Sequence, residues 1–109
     1  MIEVYVRRDS RQRLSSLFAT GHADWAEHGQ DVVCAAVSAV LQAAWLGLDQ
    51  VARVPVEAGR SDGTLSLRWP ADRRDDPALR AIVGTAEAAV ATIALQFPEH
   101  VRLHRETEP

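Results

Sequence analysis

A chain of 109 residues that is 47% apolar and 25% charged can build one hydrophobic core and is too short for two, so the expected organisation is a single domain over residues 1–109. Its net charge of −3 argues against a general nucleic-acid binder, which needs a concentrated basic surface, and its single cysteine rules out an internal disulfide and suits a reducing compartment. No apolar run approaches the roughly 18 to 20 residues that span a bilayer, and Met1 leads into a strand-like alternation rather than a basic-then-apolar leader, so the expected location is the cytoplasm.

Ile2, Val4 and Val6 alternate with Glu3, Tyr5 and Arg7, the period of a half-buried strand. A polar turn over 8–12 leads to a second strand over 13–20, where Leu14, Ser16 and Phe18 alternate with Ser15, Leu17 and Ala19. The short connection predicts a hairpin. All twelve basic residues are arginine, and Arg7, Arg8, Arg11 and Arg13 crowd this turn. They read first as a solvated hairpin tip, and second as a basic rim for an acidic or nucleic-acid-bound partner. A loop bracketed by Gly21 and Gly29 follows.

Asp31 then reads as an N-cap, its carboxylate accepting from a free first-turn amide, with a helix running from Val32 to Leu46 or Leu48. Val33, Val37, Val40, Leu41, Ala44 and Leu48 form its core stripe, and Cys34, Ser38, Leu41 and Trp45 share an adjoining face. Ala52, Val54 and Val56 alternate as a third strand, demoted to an edge by Pro55. A turn-rich connection over 57–63 leads to a fourth strand with Leu65, Leu67 and Trp69 alternating. Asp76-Pro77 is a cap followed by proline at the first helical position. The second helix continues to about Phe97, with Leu79, Ile82, Val83, Ala86, Val90, Ile93 and Phe97 on one face. Pro98 stops it, and Val101, Leu103 and Arg105 form a short last strand.

The order ββαββαβ predicts an α+β two-layer sandwich, with both helices on one face of a mixed, mostly antiparallel sheet. The opposite face would carry Tyr5, Leu17 and Arg68, a mixed surface suited to a second copy of the chain. Homodimer is the expected assembly.

Chemistry concentrates at 21–40. With Asp31 as cap, Cys34 occupies the third helical position, where free amides and the positive end of the helix dipole favour thiolate. His22 and His28 both lie on the preceding loop, and spacing alone leaves either as base. The bland reading of Cys34 is a small buried hydrophobe. A rival reading takes His22, His28, Asp31 and Cys34 as zinc ligands, although the spacing matches no CxxC or HExxH pattern.

The run Gly21-His22-Ala23, then Gly29, then Asp31-Val32-Val33-Cys34-Ala35-Ala36-Val37-Ser38-Ala39 resembles the motif of the ribosomal-processing cysteine proteases, the Prp family. The resemblance implies a catalytic dyad, with Cys34 as nucleophile and His22 as general base and acid. It ranks His22 over His28. Position alone makes Asp31 a cap and a possible orienter of the imidazole, and the geometry of the helix start offers the Val33 and Cys34 amides to the oxyanion. The resemblance further implies a substrate that is an N-terminal extension on a large-subunit ribosomal protein, and it agrees with a homodimer. Gly21, Ala23, Trp25 and Ser38 are the candidate substrate-binding residues. No cofactor, metal, membrane or direct nucleic-acid partner is expected, and the nucleophile is expected to be preformed while the base arrives with substrate. A non-catalytic, ribosome-associated homodimer keeping the same fold is the alternative outside enzymes.

Overall fold

The alternation Ile2, Val4, Val6 becomes the inner face of β1 (Ile2–Arg8), and all three side chains are buried. A reversal at Gln12, which takes a positive φ of 64°, returns the chain as β2 (Leu14–Thr20). The computed structural model describes residues 1–21 and 30–109, with side chains from Val32 onward in the second stretch. The remaining elements are α1 (Gln30–Leu46), β3 (Glu57–Ser61), β4 (Thr64–Arg68), α2 (Pro77–Gln96) and β5 (Val101–Thr107). They form one five-stranded sheet in the order β3-β4-β2-β1-β5. Three pairings are antiparallel; β5 runs parallel to β1, with Ile2 opposite Val101 and Val4 opposite Leu103. A parallel pairing needs a crossover, which α2 supplies. The architecture is the expected α+β fold with order ββαββαβ.

The core lies between the sheet and the two helices. Val33, Val37, Leu41, Ala44 and Leu48 from the first helical segment meet Leu79, Val83, Ala86 and Val90 from α2 above Val4, Val6, Leu17 and Leu67. The buried Trp69 donates its indole N–H to the Leu14 carbonyl at 2.9 Å, which satisfies a polar atom whose isolation would cost about 1–3 kcal/mol. Asp76 caps α2 as expected, accepting from the Ala78 amide at 2.9 Å with Pro77 behind it. Such a cap contributes about 0.5–2 kcal/mol.

Four expectations are corrected. The third strand is not Ala52–Val56 but Glu57–Ser61, an exposed edge strand with no apolar alternation, held by its ladder to β4. Val54 is nonetheless buried, its amide donating to the Leu48 carbonyl at 2.8 Å across a wide turn, Gly47–Val51, that ends the first helix. Leu17 faces the helices, opposite Val6 and Leu67, and Phe18 takes the outer position beside Tyr5. The register shift between Arg7 and Arg8 lets Leu14 and Leu17 both be buried although they differ in strand parity. Phe97 closes α2 at its cap and is 42% exposed rather than core. Finally, Val32–Val51 and Pro77–Gln96, 20 residues each, are long and apolar enough to cross a membrane when hydropathy is averaged along them, because alanine fills the gaps between larger apolar residues. Each helix nonetheless buries a stripe against the sheet.

The outer face of the sheet carries an interlocked aromatic and charged cluster. Tyr5 stacks on His104 at 4.5 Å and lies 6.0 Å from Phe18. The Arg7 guanidinium covers both aromatic rings and pairs with Glu106, and His104 meets Glu3 at 3.1 Å.

Candidate active site

α1 sets the site. Its inward stripe is Val33, Val37, Leu41 and Ala44, and the half-buried side chains of Cys34, Ser38 and Trp45 line the edge of that stripe, as the spacing i, i+4, i+11 dictates. Cys34 is a free thiol, half-buried and packed against the core cluster. One turn further, roughly 6 Å along the axis, Ser38 opens a groove of about 330 Å³. Ser38, Gln42 and Trp45 make its helical wall, and Ile2 and Thr20 are part of its floor. The opposing wall is the β3–β4 turn, with Arg60, Ser61, Asp62, Gly63 and Thr64. This groove is apolar at its base and bears one guanidinium and one carboxylate at its rim.

The rim is fixed by backbone. Gly21 leaves β2 with φ +102° and donates its amide to the Gly63 carbonyl at 3.0 Å. Gly63 itself has φ 77°, as the second central residue of the two-residue turn Asp62-Gly63. A Cβ on Gly21 would fall 2.1 Å from the Met1 carbonyl oxygen, so both conformation and space require glycine here. Gly21, expected to touch substrate, is therefore the anchor that holds the end of β2 to the groove rim.

Helix α1 is described over Gln30–Leu46; the residues that precede Gln30, on which the expected cap role of Asp31 rests, lie outside the described residues. Cys34 lies near the N-terminal end of the described helix. His22, Ala23, Trp25 and His28, and the side chain of Asp31, lie outside the described residues, so of the zinc ligand set only the Cys34 side chain is described. Among the described residues no three His, Cys, Asp or Glu side chains converge.

The helical wall of the groove was legible from spacing; the β3–β4 wall was missed. Its signal is Asp62-Gly63 between polar flanks, a strong two-residue hairpin motif that carries no apolar alternation.

Residues 1–102 match the family model described as cysteine protease Prp. A relative named ribosomal processing cysteine protease Prp from Staphylococcus aureus is 31% identical over 107 residues, covering 95% of this chain and 98% of its own. A relative of the same name from Bacillus subtilis is 51% identical over 41 residues, which is 38% of this chain and 37% of that protein. Among solved structures, SMU.848 from Streptococcus mutans superposes with a TM-score of 0.89 at 25% identity, covering 99% and 96% of the two chains. The essential ribosomal processing protease Prp from Staphylococcus aureus, solved with a covalently linked product peptide, superposes at 0.85 and 25% identity, covering 96% and 99%. The chain belongs to the Prp family of cysteine proteases and is a cysteine-type peptidase.

Proposed function

We propose that this peptidase removes an N-terminal extension from a large-subunit ribosomal protein, using Cys34 as nucleophile and His22 as general acid and base. One observation carries the reading: the free thiol of Cys34 stands on the α1 face that continues, one turn on, as the wall of a groove of about 330 Å³. A second supports it, since the residue before His22 is pinned to that groove's rim through Gly63. A Staphylococcus aureus relative solved with a substrate peptide superposes at a TM-score of 0.85.

In the proposed reaction the Cys34 thiolate attacks the scissile carbonyl carbon and forms a C–S bond. As the C–N bond breaks, His22 delivers a proton to the departing amine. Water then adds to the thioester, His22 takes its proton, and the thiolate leaves. Ser38, Gln42 and Trp45 line the groove for the substrate's side chains. The rim charges of Arg60 and Asp62 suit the polar backbone and flanks of an extended peptide. The test is incubation with the extended ribosomal precursor: the reading expects one shortened product, formed by the wild type and by neither Cys34→Ala nor His22→Ala. An uncut precursor, with other peptides still cleaved, would remove this substrate and leave the peptidase chemistry intact.

We further assign the outer sheet face around Tyr5, Phe18 and Arg7 to a second copy of the chain, because its half-exposed aromatic surface is of the kind that self-associates. Sedimentation checks this: a monomer throughout the micromolar range would reject it.

A further inference from the structure

The turn between β1 and β2 meets the start of α2 at the opposite end of β1 from the groove, about 20 Å away along a seven-residue strand. There the chain forms a second cleft, of about 430 Å³, walled by Arg8, Arg11, Arg13, Arg74 and Arg80. Only two carboxylates, Asp75 and Glu87, line it, in a protein whose net charge is −3. The carboxylates are already committed. Glu87 is held by Arg8 and Arg105, and Asp75 by Arg13. Asp9, just behind, takes Arg13 and Arg74. Arg11 and Arg80 are exposed, and neither guanidinium has an ion-pair partner among the described residues. The Nε of Arg74 is buried and meets no acceptor, a donor left over on the same wall.

A glycine adds a second, independent observation. Gly84 lines this cleft from inside α2, where glycine is worse than alanine by about 1 kcal/mol. No packing demands it, because a Cβ there would meet nothing within 4 Å. The residue leaves room in the cleft.

We propose that this cleft binds a phosphate group, with Arg11 and Arg80 as its principal ligands and the ion-paired arginines fixing their surroundings. Guanidinium forks match phosphate oxygens in geometry as well as charge, which makes a cleft whose cations are all arginine better suited to phosphate than to chloride or a lone carboxylate. The phosphate can come from a free anion or from a polynucleotide backbone. The proposal is independent of the peptidase reading, since no residue in it touches the groove.

The test is an NMR titration of the full chain with inorganic phosphate against chloride at matched ionic strength, and separately with a short single-stranded RNA. The expected result is a saturable phosphate-specific shift of signals from Arg11, Arg80 and Gly84, weakened at least tenfold in Arg11→Ala/Arg80→Ala. That variant removes two exposed, unpaired side chains, so its melting temperature and peptidase rate should match wild type. RNA binding far tighter than phosphate and steeply salt-dependent would identify a polynucleotide source, and RNA no tighter than phosphate a free anion. Phosphate shifts equal to those of chloride, or unchanged in the double variant, would overturn the proposal.

Discussion

The amide of Gly21 donates to the carbonyl of Gly63 at 3.0 Å, joining the end of β2 to the β3–β4 turn through two residues that both have positive φ. This bond places the last described residue before His22 against the groove rim. Gly21→Ala should therefore damage both stability and activity. Its Cβ would lie 2.1 Å from the Met1 carbonyl oxygen, and the strained φ adds to that clash, for a loss of about 2 kcal/mol. Urea unfolding measures the first effect and peptide cleavage the second. A fully stable, fully active variant would show that the rim does not depend on this residue.

Trp45 is the largest side chain on the helical wall of the groove. Trp45→Ala should raise KM for an extended peptide about tenfold, equivalent to 1.4 kcal/mol, with a smaller change in kcat, because it removes binding rather than chemistry. Steady-state kinetics on one peptide reads the split. An unchanged KM would place the substrate elsewhere.

Glu87 on α2 is only 10% exposed in its side chain and accepts from Arg8 at 2.9 and 3.0 Å and from Arg105 at 2.8 Å. Burial pushes its carboxyl upward, but these guanidiniums more than offset that and hold it below the usual value. Glu87→Gln should destabilise the fold by about 2 kcal/mol, since the partly buried Arg8 and the exposed Arg105 lose their shared, largely buried charged partner. Activity per folded molecule should stay at the wild-type level, as none of Glu87, Arg8 and Arg105 lines the groove.

Asp9 gives a pH signature. Desolvation in its nearly enclosed position works against ionisation, but bonds from the Arg13 amide, the Arg74 guanidinium and the Arg11 amide overcome it and hold the carboxyl down at about 2 rather than 3.8. A carboxyl with a depressed folded-state value contributes stability above its unfolded value and loses it as pH falls through the folded one. Asp9→Asn should thus melt below wild type at pH 7, and the gap should close as pH drops from about 4 to about 2. A constant gap across that range would mean the carboxylate's charge contributes nothing.

How much was legible follows from where the information lies. The alternation of Ile2, Val4 and Val6, the Asp76-Pro77 cap and the Cys34-Ser38-Trp45 face are local patterns, and each appears as expected. The face of Leu17 was not legible, because Leu14, Leu17 and Phe18 fit no single strand phase and the register shift at Arg7/Arg8 decides it. Glu57–Ser61 carries no apolar signal at all and is a strand only through its ladder to β4. The same hairpin supplies the groove's second wall, so half the site was invisible to a reading based on hydrophobic period.

The central claim is that Cys34 is the nucleophile of a peptidase whose groove runs along α1. A peptide chloromethyl ketone, followed by intact-mass and fragment mass spectrometry, tests it directly. The account predicts one adduct per chain, mapped to Cys34, with activity lost in proportion to labelling and with labelling slowed by excess substrate peptide. An adduct on any other residue, or full peptidase activity in Cys34→Ala, would contradict it.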